Sequence, residues 1–499
     1  MNPGLQGFLL TALEVMSALF IFVVGSVVLA LLVLYLLDRR QTRDAILRNY
    51  PVLGHFRPLF ERLGEFFRQY FFAMDREELP FNRAERNWVY RAARAEPGTV
   101  AFGSTRDLRS VGTVWFVSCP FPTLEEDAVA PRPVTVGDHC IQPYRTASFF
   151  NISGMSYGAL SKPAVRALSR GAALAGAWLN TGEGGLAPWH LEGGCDLVFQ
   201  IGTAKYGVRH PDGSLSAARL KEVAAHDTVR MFEIKLSQGA KPGKGGILPA
   251  AKVTEEIARI RGIPIHQDSL SPNRHPEIRG NAELLEMIAR VREITGKPVG
   301  FKVVLGGQGW LDELFAEIVR RGSEWAPDFI TVDGAEGGSG AAPQPLMDAM
   351  GLPLREALPL LVDKLVQYGL RERIRVVASG RLITPIGVAW ALCMGADFVA
   401  SARGPMFALG CIQAMRCHRN TCPTGITTHD PRFQQGLDPE LKSLWVANYL
   451  RRVAHEVGMI AHSCGVREPR ELRRRHCRVV TGDGRSRSLE ELFPQPHSG

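Results

Sequence analysis

The chain has 499 residues, of which 45% are hydrophobic and 22% are charged, and 51 residues are glycine. This composition is typical of a globular α/β enzyme and excludes a fibrous or disordered chain. The formal net charge is +9, but no nucleic-acid-binding motif accompanies the basic runs at 38–43 and 470–476. We therefore expect solvated helix faces at these runs and no nucleic-acid partner.

The first feature in chain order is an apolar run without charged residues at 15–37. Its 23 residues exceed the roughly 20 that a helix needs to cross a bilayer. A cleaved signal peptide would carry basic residues before the run, whereas here Arg39, Arg40 and Arg43 follow it. We predict a single-pass membrane protein with a transmembrane helix at 15–37, a short extracytoplasmic N-terminus at 1–14 and a cytoplasmic catalytic domain.

A segment rich in aromatic and charged residues (38–145) follows the apolar run. We expect it to contain amphipathic helices that pack on the catalytic domain or lie near the membrane surface. From residue 146 onward, short apolar runs alternate with helical patterns. This alternation predicts helices at 281–295, 311–321, 354–368 and 385–394, and strands at 299–304, 329–332, 374–378 and 398–400.

The helix at 281–295 has the clearest pattern, with Asn281 as the expected N-cap and Gly296 at its end. Its apolar face is formed by Leu284, Met287, Ile288 and Val291. Repeated βα units suit either a TIM barrel or a doubly wound open sheet, and the lack of an early Gly-x-Gly-x-x-Gly motif favours the barrel. The predicted fold is α/β, with a TIM barrel at 146–410, a cysteine-rich loop at 411–429 and a helical C-terminal segment at 430–499.

Three of the nine cysteines, Cys411, Cys417 and Cys422, lie within twelve residues, and Pro423 follows the last of them. A cluster of this kind in a large chain indicates metal binding in a reducing compartment and not a disulfide framework. Three soft thiolates suit a three-iron cluster, or a zinc site that His418 completes. The spacing alone leaves both possibilities open, together with unliganded cysteines.

Glycine-rich loops follow two consecutive strands, at 334–340 and 379–381, and Thr384 and Pro385 begin the helix after the second. Such loops allow backbone amides to approach a phosphate, although they also serve as simple turns. The basic loop at 235–246 is a candidate binder of a carboxylate substrate or a solvated loop. Glu183 stands among glycines at a strand end, where it is a candidate for acid/base or substrate-orienting work.

Five segments resemble, in order, the FMN domain of glutamate synthase: Gly-Met-Ser-Tyr-Gly-Ala-Leu-Ser at 154–161, Asn-Thr-Gly-Glu-Gly-Gly at 180–185, Gln-Gly-Ala-Lys-Pro-Gly at 238–243, Gly-Gly-Ser-Gly-Ala at 337–341 and Cys-His-Arg-Asn-Thr-Cys-Pro at 417–423. The resemblance implies an FMN-binding (β/α)8 barrel whose Cys411, Cys417 and Cys422 hold a [3Fe-4S] cluster. It implies that Glu183, Lys241 and Arg261 serve the substrate. The residues that it places around FMN are Ser153, Gly154, Met155, Ser156, Lys302, Gly337, Gly338, Ser339, Gly340, Ser379, Gly380, Arg381, Ser401 and Arg403.

The implied activity is reductive amination of 2-oxoglutarate, through 2-iminoglutarate, to glutamate. Reduced FMN would deliver the hydride and the cluster would supply electrons. Ile247 stands where the family usually has a substrate-contacting glutamine, which leaves a related keto acid open. We expect neither a glutaminase domain nor an NADPH-binding domain in this chain, so that ammonia is the nitrogen source and ferredoxin or another separate carrier the electron donor. The alternative is a membrane-tethered flavin and iron–sulfur electron-transfer protein, or an amine-transferring relative that uses a different keto acid.

Overall fold

The computed structural model describes residues 3–496 and divides the chain into two compact units, one up to Ala84 and one from Glu85 onward. In the first unit a helix of 38 residues runs from Pro3 to Arg40. Residues 6–40 of this helix are long and apolar enough to cross a membrane, and its most apolar window is not buried. Shorter helical elements follow at Ala45–Asn49, Leu53–His55 and Phe56–Phe67, and a π-helical turn follows at Arg68–Phe72.

The long helix is not confined to the predicted span at 15–37, because residues 3–14 belong to it as well. Pro3 stands at the start of the helix, where the missing amide hydrogen costs nothing. Between Pro3 and Leu37 the chain then offers no further proline and only Glu14 as a charged residue, so nothing ends the helix before the basic residues at its C-terminus.

The second unit contains a closed barrel of eight parallel strands, which confirms the TIM barrel and excludes the open sheet. The last strand pairs with the first through Val399 and Phe150. The strands are fully buried in their central positions, as expected where helices cover the outer face of a parallel barrel. In chain order they are Phe150–Ile152, Leu179–Asn180, Leu197–Ile201, Val229–Lys235, Val299–Val303, Phe329–Asp333, Arg375–Ser379 and Phe398–Ser401.

The barrel helices agree closely with the sequence pattern. The helix Asn281–Thr295 buries Leu284, Met287, Ile288 and Val291 as predicted, but its N-cap is Gly280 and Asn281 is the first helical residue. The other major helices of this unit are Arg83–Ala93 (which begins before it), Lys162–Ala175, Ala217–Ala224, Glu255–Arg261, Gly309–Arg321, Leu354–Gln367, Pro385–Cys393, Arg403–Leu409 and Pro439–Ser463. The short helices are Pro188–Leu191, Gln344–Ala349, Pro431–Gln434 and Leu489–Leu492.

An apolar cluster fills the N-terminal end of the barrel. A hairpin of the strands Val134–Val136 and Tyr144–Thr146 contributes Val136 and Tyr144 to it. These side chains pack with Trp178, Phe329 and Phe398, which begin or precede barrel strands. Because this end is filled, the strand ends on the opposite, C-terminal face remain to form a site, as in other TIM barrels.

The C-terminal segment at 430–499, predicted to be helical, is helical only in part. After the helix Pro439–Ser463, the strand Cys477–Val480 pairs with Val114–Phe116 on one side and Ser486–Ser488 on the other. A turn at Thr481–Arg485, in which Gly484 has a φ of 76°, joins the last two strands. The sequence Gly-Asp-Gly at 482–484, after the β-branched pair Val479 and Val480, is a hairpin signal that the helical interpretation overlooked.

Candidate active site

A cleft at the C-terminal ends of the barrel strands has a cavity volume of about 130 Å³ and opens to solvent. Loops after the first, second, fourth, sixth and eighth strands contribute to its walls. The cleft thus brings together residues that are up to 273 positions apart in the chain, Gly154 and Thr427. The residues predicted from the sequence that line it are Gly154, Met155, Ser156, Glu183, Lys241, Arg261, Gly338, Ser339, Gly340, Arg403 and Cys417.

Glu183 is the acidic centre of this cleft. Its Oε1 accepts a hydrogen bond of 2.8 Å from Lys235 Nζ, which also donates to Gln238 at 2.9 Å. Burial raises the pKa of Glu183, but Lys235, Lys241 and Arg261 outweigh burial and lower it to about 2. The carboxylate is therefore ionised at neutral pH.

Two glycines give the Glu183 side chain its room. A Cβ at position 246 would lie 2.8 Å from Glu183 Oε1, and one at position 202 would lie 2.5 Å from Glu183 Cβ. Any larger residue at Gly202 or Gly246 would push the carboxylate away from Lys235. The glycine-rich character of both loops is therefore a packing requirement of the site, and not only a property of turns.

Two further cations, Lys241 and Arg261, lie in the cleft and are each only 5% exposed. Burial, assisted by Lys235, lowers the pKa of Lys241 to about 8. Arg261 donates to the carbonyl of Tyr157 at 3.2 Å, and its guanidinium lies 5.1 Å from the centre of the Tyr206 ring. Its Nε is buried and has no hydrogen-bond partner among residues 3–496. The cleft therefore offers two buried cations suited to a small anionic ligand.

A buried carboxylate inside the barrel supports the floor of the cleft. Glu233 accepts hydrogen bonds from Asn180 Nδ2 at 2.8 Å, Gln200 Nε2 at 2.7 Å and Thr331 Oγ1 at 2.5 Å. The Oδ1 atom of Asn180 in turn accepts from the amide of Gly182, next to Glu183, at 3.0 Å. This chain of contacts positions the Glu183 loop from below.

The sequence pattern did not identify Glu233 and Gln200 as functional residues, and it identified Lys235 only as the first residue of the basic loop at 235–246. Each is a polar residue on an otherwise apolar barrel strand, as in Met-Phe-Glu-Ile-Lys at 231–235. A strand buried on both faces normally excludes polar side chains, so an interruption of this kind is the signal that would have found them.

The remaining residues predicted around the flavin do not line the cleft. Lys302 is buried beneath it, where its Nζ lies 3.2 Å from Asp333 Oδ2. Burial lowers the pKa of Lys302, but Asp333 and Glu233 outweigh burial and raise it. Backbone hydrogen bonds join neighbouring loops at the ends of the first, sixth, seventh and eighth strands. The other predicted flavin residues lie at these strand ends: Ser153, Gly337, Ser379, Gly380, Arg381 and Ser401.

The cysteine loop closes one side of the cleft through Cys417. Burial, and to a smaller extent the neighbouring Cys417 and Cys422, raises the pKa of the Cys411 thiol to about 11. The non-glycine residues Gln413, Met415 and Asn420 have φ values between 51° and 58°, which is a strained conformation found mostly at functional sites.

The structure bears on the zinc alternative. A zinc ion holds its sulfur ligands about 2.3 Å from the metal and so less than about 4 Å from one another. Among the described residues, the three thiols do not form a group whose ligand atoms all lie within 4.8 Å of one another, with or without His418. His418 is also exposed, and its Nε2 accepts from Arg419. As placed, these side chains do not form a closed tetrahedral zinc site.

Lys252 connects the cysteine loop to the cleft. It is 2% exposed, and its Nζ donates to the carbonyls of Ala159, which lines the cleft, at 2.7 Å and Cys417 at 3.4 Å. Asn420 adds a second connection by donating to the carbonyl of Ala251 at 2.9 Å. The loop is therefore fixed against the wall of the cleft at two points.

A closed parallel barrel with an ionic cleft at its C-terminal rim defines a TIM-barrel enzyme. The family model described as the conserved region in glutamate synthase matches residues 123–467. The glutamate synthase large subunit-like protein YerD of Bacillus subtilis (strain 168) is 38% identical over 523 aligned residues, which cover 96% of this chain and 99% of the relative. The chain belongs to the glutamate synthase family and is an oxidoreductase.

Other relatives match a shorter part of the chain. The archaeal-type glutamate synthase (NADPH) of Thermotoga neapolitana is 36% identical over 323 residues, which are 64% of this chain and 60% of the relative. Among solved structures, mandelate oxidase with (S)-4-hydroxymandelic acid has a TM-score of 0.46 at 16% identity and covers 79% of this chain and 99% of its own. A flavocytochrome b2 variant with benzoylformate has a TM-score of 0.46 at 14% identity, and the match covers 83% of this chain and 84% of the flavocytochrome chain.

Proposed function

We propose that this chain is a glutamate synthase-like enzyme that reductively aminates 2-oxoglutarate, or a related keto acid, with ammonia and electrons from a separate carrier such as ferredoxin. The observation that carries the proposal is the arrangement of Glu183, Lys235, Lys241 and Arg261 in one cleft that Cys417 also lines. An electron-transfer protein has no need of two buried cations around an ionised carboxylate.

FMN is the proposed flavin, and the residues of the cleft fit it. A Cβ at Gly340 would meet no atom within 4 Å, so the backbone of this loop borders open space. Arg403 Nη2 donates to the carbonyl of Ser339 at 2.9 Å, which places a fixed guanidinium beside the same loop. Arg261 adds its unpartnered Nε. When bound, FMN would supply the hydride for reduction of the imine.

A [3Fe-4S] cluster is the proposed second cofactor, held by Cys411, Cys417 and Cys422. Three soft thiolates with a proline after the last one are a suitable donor set, and left-handed backbone at Gln413, Met415 and Asn420 shapes the loop that carries them. When bound, the cluster would pass electrons singly toward the cleft. Lys252 and Asn420 would hold its loop against the wall.

The substrate contacts follow from the charges. Lys241 and Arg261 would each bind a carboxylate of a dicarboxylate keto acid, since charge-assisted hydrogen bonds are strongest where water is excluded. Glu183 would hold the ammonium ion or exchange a proton with the reacting nitrogen. Lys235 keeps Glu183 ionised and oriented through the 2.8 Å ion pair. The cleft thus separates an anion-binding side from a proton-exchanging carboxylate.

Membrane attachment is part of the proposal. The helix Pro3–Arg40 would cross the bilayer once, and the basic residues at its C-terminal end would place the catalytic unit in the cytoplasm. A reducing cytoplasm is compatible with nine free cysteines.

Reoxidation of the flavin tests the enzyme against the electron-transfer alternative. The detergent-solubilised protein is reduced with dithionite under anaerobic conditions, and its absorbance is followed after addition of 2-oxoglutarate and ammonium together or separately. We expect the flavin to reoxidise only when both are present. Reoxidation by an artificial electron acceptor alone would favour an electron-transfer protein.

The pH dependence of binding provides a prediction about Lys241. Lysine is cationic below its pKa, here about 8, so the cation is lost as pH rises through this value while the substrate carboxylates stay ionised. We expect the dissociation constant of 2-oxoglutarate, measured without ammonium by the change in flavin absorbance, to be constant below pH 7 and to rise up to about tenfold per pH unit above 8.

The variant Lys241→Arg is the control for this prediction, because a guanidinium stays charged over the same range. Its binding should lose the pH dependence even if its affinity is lower. A dependence that persists in Lys241→Arg would assign the titration to another group, such as Lys252.

The substrate alternative, a different keto acid, rests on Ile247, which lines the cleft where the resemblance places a glutamine. We expect Ile247→Gln to raise the ratio of kcat/KM for 2-oxoglutarate over pyruvate about 2- to 12-fold, the value of one hydrogen bond to the distal carboxylate. Steady-state assays with both acids measure the ratio. An unchanged or lower ratio would indicate that the wild-type substrate lacks a second carboxylate.

A further inference from the structure

An exposed apolar stripe follows the helix Phe56–Phe67 and the turn Arg68–Phe72, which together we call the amphipathic segment. Phe60 is 65% exposed, Phe71 is 66% exposed and Phe72 is 74% exposed. Phe56, Leu63 and Phe67 are also exposed and continue the stripe at helical spacing. A contiguous stripe of exposed aromatic and aliphatic side chains marks a surface that a protein or a membrane covers.

The π-helical turn widens this stripe. In a regular α-helix, residues five apart point about 140° away from each other, which would place Phe72 on the polar side of Phe67. The turn instead has a 2.8 Å hydrogen bond from the amide of Ala73 to the carbonyl of Arg68. The ring centroids of Phe71 and Phe72 consequently lie 5.5 and 6.3 Å from that of Phe67. The local backbone thus gathers three aromatic rings on one exposed face.

The charge of this part of the chain identifies the partner. Between Arg39 and Phe72 there are seven arginines against three acidic residues. Arg57 is 62% exposed on the amphipathic segment, and so is its helical ion-pair partner Glu61, at 65%. Aromatic side chains beside arginines on an amphipathic helix are typical of binding to the interface of a membrane with anionic lipids.

Asp38 fixes where the amphipathic segment begins. One residue after the apolar run, Asp38 Oδ2 accepts from the amide of Val52 at 2.8 Å, and its Oδ1 lies 3.0 Å from His55 Nε2. Its side chain is only 6% exposed. Asp38 therefore holds the start of the amphipathic segment beside the end of the long helix, at the level where a transmembrane span would leave the bilayer.

We propose that the amphipathic segment lies in the interface of a bilayer that contains anionic lipids, with Phe60, Phe67, Phe71 and Phe72 inserted at the boundary of headgroups and acyl chains. The amphipathic segment would be a second lipid contact in addition to the transmembrane helix. This proposal rests on the proposed membrane attachment through that helix. The aromatic rings supply apolar burial, and the arginines contact the phosphates.

Photocrosslinking of the full-length protein in vesicles tests this contact. A photoreactive phenylalanine analogue replaces Phe60 or Phe71 on the stripe, Arg62 on the opposite side of the helix as the matched control, or Phe20 within the span. Vesicles consist of phosphatidylcholine with or without phosphatidylglycerol. We expect lipid adducts at positions 60 and 71 in about tenfold excess over position 62, with a higher yield when phosphatidylglycerol is present.

Other outcomes would overturn the proposal. An adduct from position 60 to a second copy, or to the part of the same chain from Glu85 onward, would identify a protein as the partner. A yield at position 60 as low as that at position 62 would show that the stripe faces water, and equal yields in both vesicles would remove the anionic-lipid contact. Absence of lipid adducts at position 20 would overturn the span together with the proposal that rests on it.

Discussion

Replacing Lys241 by alanine is expected to abolish most keto-acid-dependent turnover while leaving FMN and iron content unchanged. Lys241 is buried in the cleft, and its removal would leave a substrate carboxylate without its cation in a place that water reaches poorly. Loss of one partner of a buried charge pair costs about 2–4 kcal/mol, which is roughly a 30- to 1,000-fold decrease in kcat/KM. Stopped-flow reoxidation of the dithionite-reduced protein measures this decrease.

Lys244→Ala is the matched control for this experiment. Lys244 lies on the same loop, three residues away, but is exposed and does not line the cleft. It should retain wild-type rates, and both variants should be reduced by dithionite at the wild-type rate. Equal reoxidation rates in Lys241→Ala and the wild type would mean that the keto acid binds elsewhere or that the chain has no such substrate.

Replacing Glu233 by alanine is expected to have the largest effect on stability. The change leaves the side chains of Asn180, Gln200 and Thr331 with buried donors that have lost their acceptor. It also removes a negative charge that stabilises buried Lys302. We expect a loss of about 3–5 kcal/mol in the free energy of unfolding, seen as a lower unfolding midpoint in thermal denaturation.

Glu222→Ala is the control for the stability prediction. Glu222 is an exposed residue of the helix Ala217–Ala224, so its loss should change the free energy of unfolding by less than about 0.5 kcal/mol. A Glu233→Ala variant as stable as Glu222→Ala would show that the three donors find other partners, and the network beneath the cleft would then have no structural role.

The barrel was predictable because its elements follow from local patterns. The apolar face of the helix Asn281–Thr295 repeats at helical spacing, and the strand Val299–Val303 follows a Lys-Pro break. The strand Cys477–Val480 was not predictable in the same way. It is stabilised by pairing with Val114–Phe116, more than 350 residues earlier, and such a partner leaves no mark on the local pattern.

Part of the site also followed from the sequence, since Glu183, Lys241 and Arg261 were found through the resemblance and the structure places all three in one cleft. Gln200 was missed because it belongs to a strand and not to a glycine-rich loop, and Lys235, the last residue of its strand, was considered only as part of the basic loop at 235–246. Their role depends on closure of the barrel, which turns alternate strand positions toward a common centre. Only the three-dimensional arrangement shows that Lys235 pairs with Glu183.

The central claim is that the cleft converts a keto acid and ammonia into an amino acid. The most direct test is a single turnover of the dithionite-reduced, full-length protein with 2-oxoglutarate and isotope-labelled ammonium under anaerobic conditions, followed by mass spectrometry of the products. We expect about one labelled glutamate per bound flavin, and almost none with Lys241→Ala. If a protein that carries flavin and iron forms no labelled amino acid from 2-oxoglutarate or from other keto acids, the proposed amination is contradicted.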